Sequence, residues 1–404
     1  MKTVLVLVDA LRSNYLTEEN MPFLYKLSRD YTYVREVQAS PGFCERSEIL
    51  SGLTPIQSNY FTALGYDPEN SLYRKYKSLL KFLSISEKVW SRGAKYFGTA
   101  FLKKLSIPFN PYLIPFNQLS DFSLTEDGDV KYGRVVRTIT DVLKEESHSF
   151  DYGLFTSLDR NKCIKINDVE SYLTNKMIEG IEFLPLYIGE VDSWGHSYCN
   201  NLEEMRKVLL QVDNRIKKIY NLANNYEYRM IVLGDHGMVP IEKKIDVLSI
   251  IKKEMKKQNI QYKIFVDSTF VRFWCEEISN IKKIEIILHN LDEFGQIINT
   301  QIAKERNIPL HIKNDDNKNI YGDILWAAHP GVLISPDYFN PFKKKINGMH
   351  GYVEETNNSY GLMIISASHS KIVERCRLID VCATLCHSLD IENPNIDSEA
   401  ISLL

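Results

Sequence analysis

Long apolar runs are missing from this sequence: nowhere do about eighteen apolar residues follow one another, the length a spanning helix requires. Strong charge of either sign is missing too, because 49 Lys and Arg stand against 52 Asp and Glu, a formal net charge of −3. No global field gathers nucleic acid, and specific nucleic-acid binding is not expected. Cysteine is sparse and unpaired in pattern: Cys44, Cys163, Cys199, Cys275, Cys376, Cys382 and Cys386 make an odd set without CxxC pairs. That pattern speaks against a disulfide framework or a thiolate zinc site and fits reduced thiols. Repeats and low-complexity tracts are absent. Behind the apolar run Val4–Val8 there is no small-residue cleavage site, so Met1–Leu11 reads as a buried strand and not a signal peptide. A cytoplasmic location is the expectation.

What the chain has is core-forming material, 44% hydrophobic residues over 404 positions, enough for one or two domains. A unit recurs along it: an apolar strand, a polar residue, then a helical pattern. Val4–Val8 leads to Asp9, Leu184–Ile188 to Asp192, and Met230–Leu233 to Asp235. This rhythm predicts an α/β fold with a mostly parallel central sheet flanked by helices, its working residues at the carboxyl ends of the strands. Helical spacing is read at Met21–Leu27, Glu45–Leu50, Glu203–Asn221 and Lys283–Lys304, and a strand at Lys263–Trp274. The expected core comprises residues 1–70, 175–245 and 327–404, with a cap at 71–174 and a second insertion at 246–326.

Three strings carry chemistry. Gly234-Asp235-His236-Gly237 places adjacent Asp and His at a strand end, between glycines that let the backbone turn sharply. Asp192 and His196, four apart, share one face if a helix begins there. His350 stands between glycines in Gly348-Met349-His350-Gly351 and gains meaning only beside the others. Each has a plain alternative: a loop cap, a helix N-cap, a hydrogen-bonded surface imidazole. Together with Asp9 they make three Asp and three His, a nitrogen and oxygen set without thiolate. Such a set suits two divalent metal ions, Zn²⁺ first and Mn²⁺ second, since Ca²⁺ and Mg²⁺ use fewer imidazoles. Two metals side by side can clamp the attacking and leaving oxygens of a phosphoryl transfer.

At this point the residues show a family resemblance. VDALR at 8–12, MPFLYKLS at 21–28, SGLTP at 51–55, VDSWGH at 191–196, LGDHGM at 233–238 and GMHGY at 348–352 resemble the ordered motifs of the alkaline phosphatase superfamily, in its nucleotide pyrophosphatase/phosphodiesterase branch. The stretch Leu378–Cys386 resembles the superfamily's closing helix. The resemblance implies an alkaline-phosphatase-like fold with cap insertions, one metal on Asp192, His196 and His350, and the other on Asp9, Asp235 and His236. It also implies a nucleophile between the metals, and here the sequence departs. Counting back from Gly52, the position that carries Thr, Ser or Cys in the superfamily is Gly42. Cys44 and Ser40 are the candidate replacements, and direct attack by hydroxide without a covalent step is the third reading. Arg46 is a candidate clamp for phosphate or sulfate, its alternative being an ion pair with Glu45 or Glu48.

The resemblance implies hydrolysis of a phosphodiester or nucleotide-type pyrophosphate bond, on a phosphate-ester small molecule, nucleotide or glycan. Transfer to a glycan or lipid-linked acceptor is a variant of the same chemistry. The competing readings are a sulfatase, disfavoured because Cys44 is two residues out of place, and a degenerate metal-containing phosphate-binding protein without turnover. Asp267-Ser268-Thr269 reads as a turn, or else as a border of the site. The segment 71–104 sets nine Lys and Arg against Glu87 alone, with aromatics interleaved, the composition of a weak contact with an anionic membrane surface or of a cap helix.

Overall fold

The computed structural model describes residues 1–90, 114–124, 136–155, 169–340, 345–366 and 370–401. Six strands form the central sheet, in the spatial order Ile372–Arg377, Thr32–Gln38, Gly361–Ile365, Arg229–Leu233, Thr3–Val8, Phe183–Ile188. Thr3–Val8 pairs in parallel with Phe183–Ile188 on one side and Arg229–Leu233 on the other. Alternate residues of this strand serve two cores, which is why it reads as an unbroken apolar run. Val4, Val6 and Val8 pack with Leu24 of helix Pro22–Asp30 and with Val212 and Ile216 of helix Leu202–Asn225. Leu5 and Leu7 pack with Ile49 of helix Glu45–Ser51 and with Val381, Cys382 and Leu385 of helix Asp380–Leu389. Each fully buried aliphatic of this kind contributes roughly 1.5–3 kcal/mol, so the strand that ends in Asp9 is anchored from both sides.

One strand departs from the parallel pattern. Gly361–Ile365 runs antiparallel to both its neighbours. The segment before it arrives at the carboxyl edge of the sheet, having just delivered His350, so the chain re-enters the sheet from the opposite end.

A second, four-stranded antiparallel sheet has the order Gly295–Ile297, Ile324–Ala328, Phe270–Trp274, Lys263–Val266. Two sequence expectations are corrected here. The Lys263–Trp274 stretch is a hairpin and not one strand, with Asp267-Ser268-Thr269 as the turn the sequence suggested, and that turn is buried: Asp267 pairs with Arg272 at 3.1 Å and Ser268 bonds Asp337 at 2.7 Å. The Lys283–Lys304 stretch is helix Ile278–His289, strand Gly295–Ile297 and helix Thr300–Glu305, not one helix. The break falls where Gly295 meets the neighbouring strand, for a Cβ there would lie 2.2 Å from the Ala327 carbonyl oxygen.

The expected cap at 71–174 divides. Tyr73 and Leu80 pack into the core beneath the second sheet, with helix Lys77–Trp90 following, while Phe82 is 70% exposed. Ile139, Leu143 and Phe155, by contrast, belong to the core of the central sheet, and Phe150 and Leu154 bridge to Phe183 and Leu186 at its edge. Helix Ile139–Glu145 therefore packs on the central sheet, and Phe150 and Leu154 run along its edge strand. Residues 91–104 of the basic segment, and Cys163, lie outside the described residues. Among the described residues no helix is long and apolar enough to cross a membrane.

Candidate metal centre

The three strand ends of the parallel portion converge on one edge. Asp9 follows Thr3–Val8, and Asp235 and His236 follow Arg229–Leu233. Phe183–Ile188 leads into helix Glu190–Tyr198, which carries Asp192 and His196 one turn apart. His350 is brought in by backbone pairing, because Gly348–Met349 forms a two-stranded ladder with Val239–Pro240 just beyond His236. Gly234 permits the close approach, since a Cβ there would lie 2.0 Å from the Leu11 carbonyl oxygen.

All six residues singled out in the sequence come together, in two groups. Asp192, His196 and His350 form one and Asp9, Asp235 and His236 the other, with potential ligand atoms within 4.8 Å of each other in each group. In the first, Asp192 Oδ1 lies 3.2 Å from His196 Nε2 and 3.6 Å from His350 Nε2. In the second, His236 Nε2 lies 3.0 Å from Asp9 Oδ1 and 3.8 Å from Asp235 Oδ1. The His236 and His350 rings stack at 3.9 Å with planes 8° apart, so the groups adjoin.

The imidazoles are oriented for ligation. Nδ1 of His196 donates to the Gly348 carbonyl at 2.9 Å and Nδ1 of His236 to the Gly237 carbonyl at 2.8 Å. Each Nε2 is left facing carboxylate oxygen, an arrangement that needs a cation or a second proton between the two acceptors. Asp192 Oδ1 and His350 Nδ1 are buried without a hydrogen-bond partner, a further demand for an electrophile. The donor set and its orphaned atoms thus fit divalent cations.

Electrostatics follow the same geometry. Burial pushes the Asp235 carboxyl up to about 7, His236 pulling it down and Asp9 pushing it up. Burial opposes charge on His236, but Asp235 and Asp9 outweigh it and hold its pKa well above the ordinary value. Asp9 falls below the usual range: burial opposes this, and the hydrogen bond and charge of His236 prevail. Burial, then the charges of His236 and His196, pushes His350 well below the ordinary range, leaving a neutral ring of the kind metals take.

Two residues that sequence reasoning missed stand in the same site. The Tyr187 hydroxyl donates to Asp9 Oδ2 and fixes that carboxylate. Glu45 forms a third group with His236 and His350, its Oε1 3.9 Å from His350 Nδ1, and burial pushes its carboxyl up to about 8. Tyr187 carried a signal, being the polar-tipped residue of an otherwise apolar strand that ends at the site. Glu45 carried none beyond its place three residues after Gly42.

The nucleophile candidates are placed as follows. Gly42 has φ +99°, and a Cβ there would lie 2.5 Å from the Phe61 carbonyl oxygen. Cys44 is the N-cap residue of helix Glu45–Ser51, not part of its first turn, and its thiol is buried beside Tyr60 and 3.7 Å from the Pro41 carbonyl oxygen. The Ser40 hydroxyl donates to Glu48 Oε1 at 2.6 Å. Arg46 lies over the Tyr187 ring at 4.9 Å and the Phe155 ring at 5.4 Å, and its charge helps hold Asp9 low. A narrow cleft opens at the centre, lined by Ser40, Glu45, His236, His350, Arg306 and Tyr360 among others. Asp267, Ser268 and Thr269 are not part of its lining. Arg306, from the second insertion, is held there by a 2.6 Å ion pair with Glu355.

A two-group Asp and His cluster at the carboxyl edge of a mostly parallel sheet is what the resemblance to the alkaline phosphatase superfamily implied. Residues 3–353 match the family model for type I phosphodiesterase / nucleotide pyrophosphatase, and the chain belongs to that family. Human ectonucleotide pyrophosphatase / phosphodiesterase 5 superposes with a TM-score of 0.67 at 14% identity, covering 99% of this chain and 97% of that one. The murine protein, in an inactive variant with one threonine replaced by alanine and bound to AMP, gives 0.66 at 14% identity, covering 97% and 96%. In sequence, mouse ectonucleotide pyrophosphatase/phosphodiesterase family member 7 is 23% identical over 185 residues, 43% of this chain and 39% of that protein. The human member 7 is 33% identical over 70 residues, 16% of this chain and 15% of that protein. The matched stretch thus spans about two fifths of the longer-matching curated relative.

Proposed function

We propose that this chain hydrolyses a phosphodiester or nucleotide-type pyrophosphate bond with two divalent cations, one on Asp192, His196 and His350 and one on Asp9, Asp235 and His236. The observation that carries the proposal is the pairing of carboxylates with imidazoles whose Nδ1 atoms are already committed to backbone carbonyls. Held there, two cations, Zn²⁺ before Mn²⁺, supply Lewis acidity to the phosphoryl oxygens and offset the charge that develops on them. The chain's own contributions are positional. Tyr187 keeps Asp9 turned toward His236, Arg46 adds positive charge on the same side, and Arg306 and Tyr360 line the approach. A nucleotide is the favoured substrate class, because a structural neighbour of the same family binds AMP.

For the attacking group, the geometry favours water over a side chain. Position 42 has no room for one, Cys44 faces the Pro41 carbonyl, and Ser40 is engaged by Glu48. The same Gly42 supports a second reading, a protein that binds phosphate compounds without turnover. Metal analysis together with hydrolysis of bis-nitrophenyl phosphate separates the two. Two equivalents of Zn²⁺ or Mn²⁺ with turnover support the hydrolase. Bound metal without turnover of diesters, monoesters or sulfate esters supports the binder, and no bound metal overturns both.

A further inference from the structure

We propose that Glu45 is a seventh cation ligand, its carboxylate shared between the two positions and supplying the anionic oxygen that residue 42 does not. The inference rests on the two-cation reading above. Glu45 forms a ligand-type group with His236 and His350, all within 4.8 Å, and these two histidines belong to different groups of the centre. It therefore adjoins both halves, and among the described residues no other carboxylate in these clusters is grouped with histidines of both. Its side chain is only 13% exposed and lies 3.9 Å from His350 Nδ1. That atom is itself buried without a hydrogen-bond partner.

A carboxylate offers two oxygens on one carbon and can serve two neighbouring cations at once. The loop explains why this falls to residue 45. Gly42 N–H donates to the Gly351 carbonyl at 3.2 Å, and Phe43 meets the His350 ring edge-on at 5.3 Å. Residues 42 and 43 are thereby pinned beside His350, and the first side chain after them that carries a charge is Glu45. Its neighbour Cys44 turns the other way, into the pocket with Tyr60. A shared carboxylate also accounts for a centre that keeps six ligands while leaving position 42 bare.

The test is a calorimetric titration of Zn²⁺ into the chelator-treated full chain, with thermal unfolding measured before and after metal. Wild type is expected to take two equivalents. Glu45→Gln, which keeps the shape and the hydrogen-bonding oxygen but not the charge, is expected to lose one equivalent or weaken by more than about tenfold, with a smaller rise in unfolding temperature on adding Zn²⁺. Glu45→Asp, which keeps the charge but draws it back by one methylene, is expected to bind less tightly than wild type and more tightly than Glu45→Gln. If wild type and Glu45→Gln take two equivalents with equal affinity, Glu45 is not a ligand and the two-cation reading stands. If only Glu45→Ala weakens binding, Glu45 merely orients His350, and the proposal is overturned. If wild type takes no Zn²⁺, the two-cation reading itself falls.

Discussion

Placing a nucleophile at position 42 is the obvious repair of this site, and the structure says that the fold resists it. Gly42 sits at φ +99°, where an L-residue is strained by about 1–3 kcal/mol. Its Cβ would also lie 2.5 Å from the Phe61 carbonyl oxygen and 2.8 Å from the Phe61 ring. Relief requires that carbonyl to withdraw, yet it accepts the Phe43 N–H at 2.9 Å, and losing that bond costs a further ~1 kcal/mol. Gly42→Ser and Gly42→Thr are therefore expected to destabilise by roughly 2–4 kcal/mol in all. With ~2.1 cal/mol/K of unfolding entropy per residue, this lowers the thermal midpoint of the 404-residue chain by roughly 2–5 °C. The assays are thermal unfolding and, in parallel, mass spectrometry of acid-quenched protein for a phosphorylated residue 42. A Gly42→Thr protein as stable as wild type, with phosphate on the new hydroxyl, would refute the claim that this backbone has no place for a side chain.

Other expectations concern single groups. Asp235→Ala and His236→Ala, and likewise Asp192→Ala, His196→Ala and His350→Ala, should lower bound metal and abolish turnover; full metal content and full rate in any one of them removes that residue from the centre. Tyr187→Phe deletes the hydroxyl that holds Asp9 and should weaken metal binding by about 10–100-fold in a competitive chelator titration, whereas an unchanged constant means the contact is idle. Glu48 is buried and pushed up to about 7, so between about pH 5 and pH 7 the folded state keeps a proton that the unfolded state has released. Stability of the metal-free chain should therefore fall as pH rises through this window, with Glu48 contributing at most ~3 kcal/mol; urea unfolding of Glu48→Gln should show a flatter profile, and an unchanged slope counts against the assignment.

Much of the candidate centre was readable because its Asp and His residues follow apolar runs and sit beside glycines: Asp9 after Val4–Val8, and Asp235 and His236 between Gly234 and Gly237. In a parallel sheet, that pattern alone puts side chains at one edge. Direction within the sheet was not readable, because Gly361–Ile365 is buried on both faces and looks the same in sequence whichever way it runs. Nor was the end of helix Ile278–His289, where Leu291 extends the apolar spacing beyond Asn290. The contrast between Cys44 and Glu45 is sharper. Side by side at a helix start, they point into different surroundings, one toward Tyr60 and one toward His350. The two residues before them, Gly42 and Phe43, bond to the Gly351 and Phe61 carbonyls, and the Gly351 partner lies far along the chain from the motif being read.

The short ladder between Gly348–Met349 and Val239–Pro240 does more than deliver His350. One of its residues, Gly348, accepts from His196 Nδ1, while Gly237, two positions before the other strand, accepts from His236 Nδ1. The two imidazoles are thus referenced to a common peptide frame, and the gap between their Nε2 atoms is gauged by main-chain hydrogen bonds instead of by side-chain packing. Substitutions in the walls of the cleft can reshape what enters while leaving that gauge untouched.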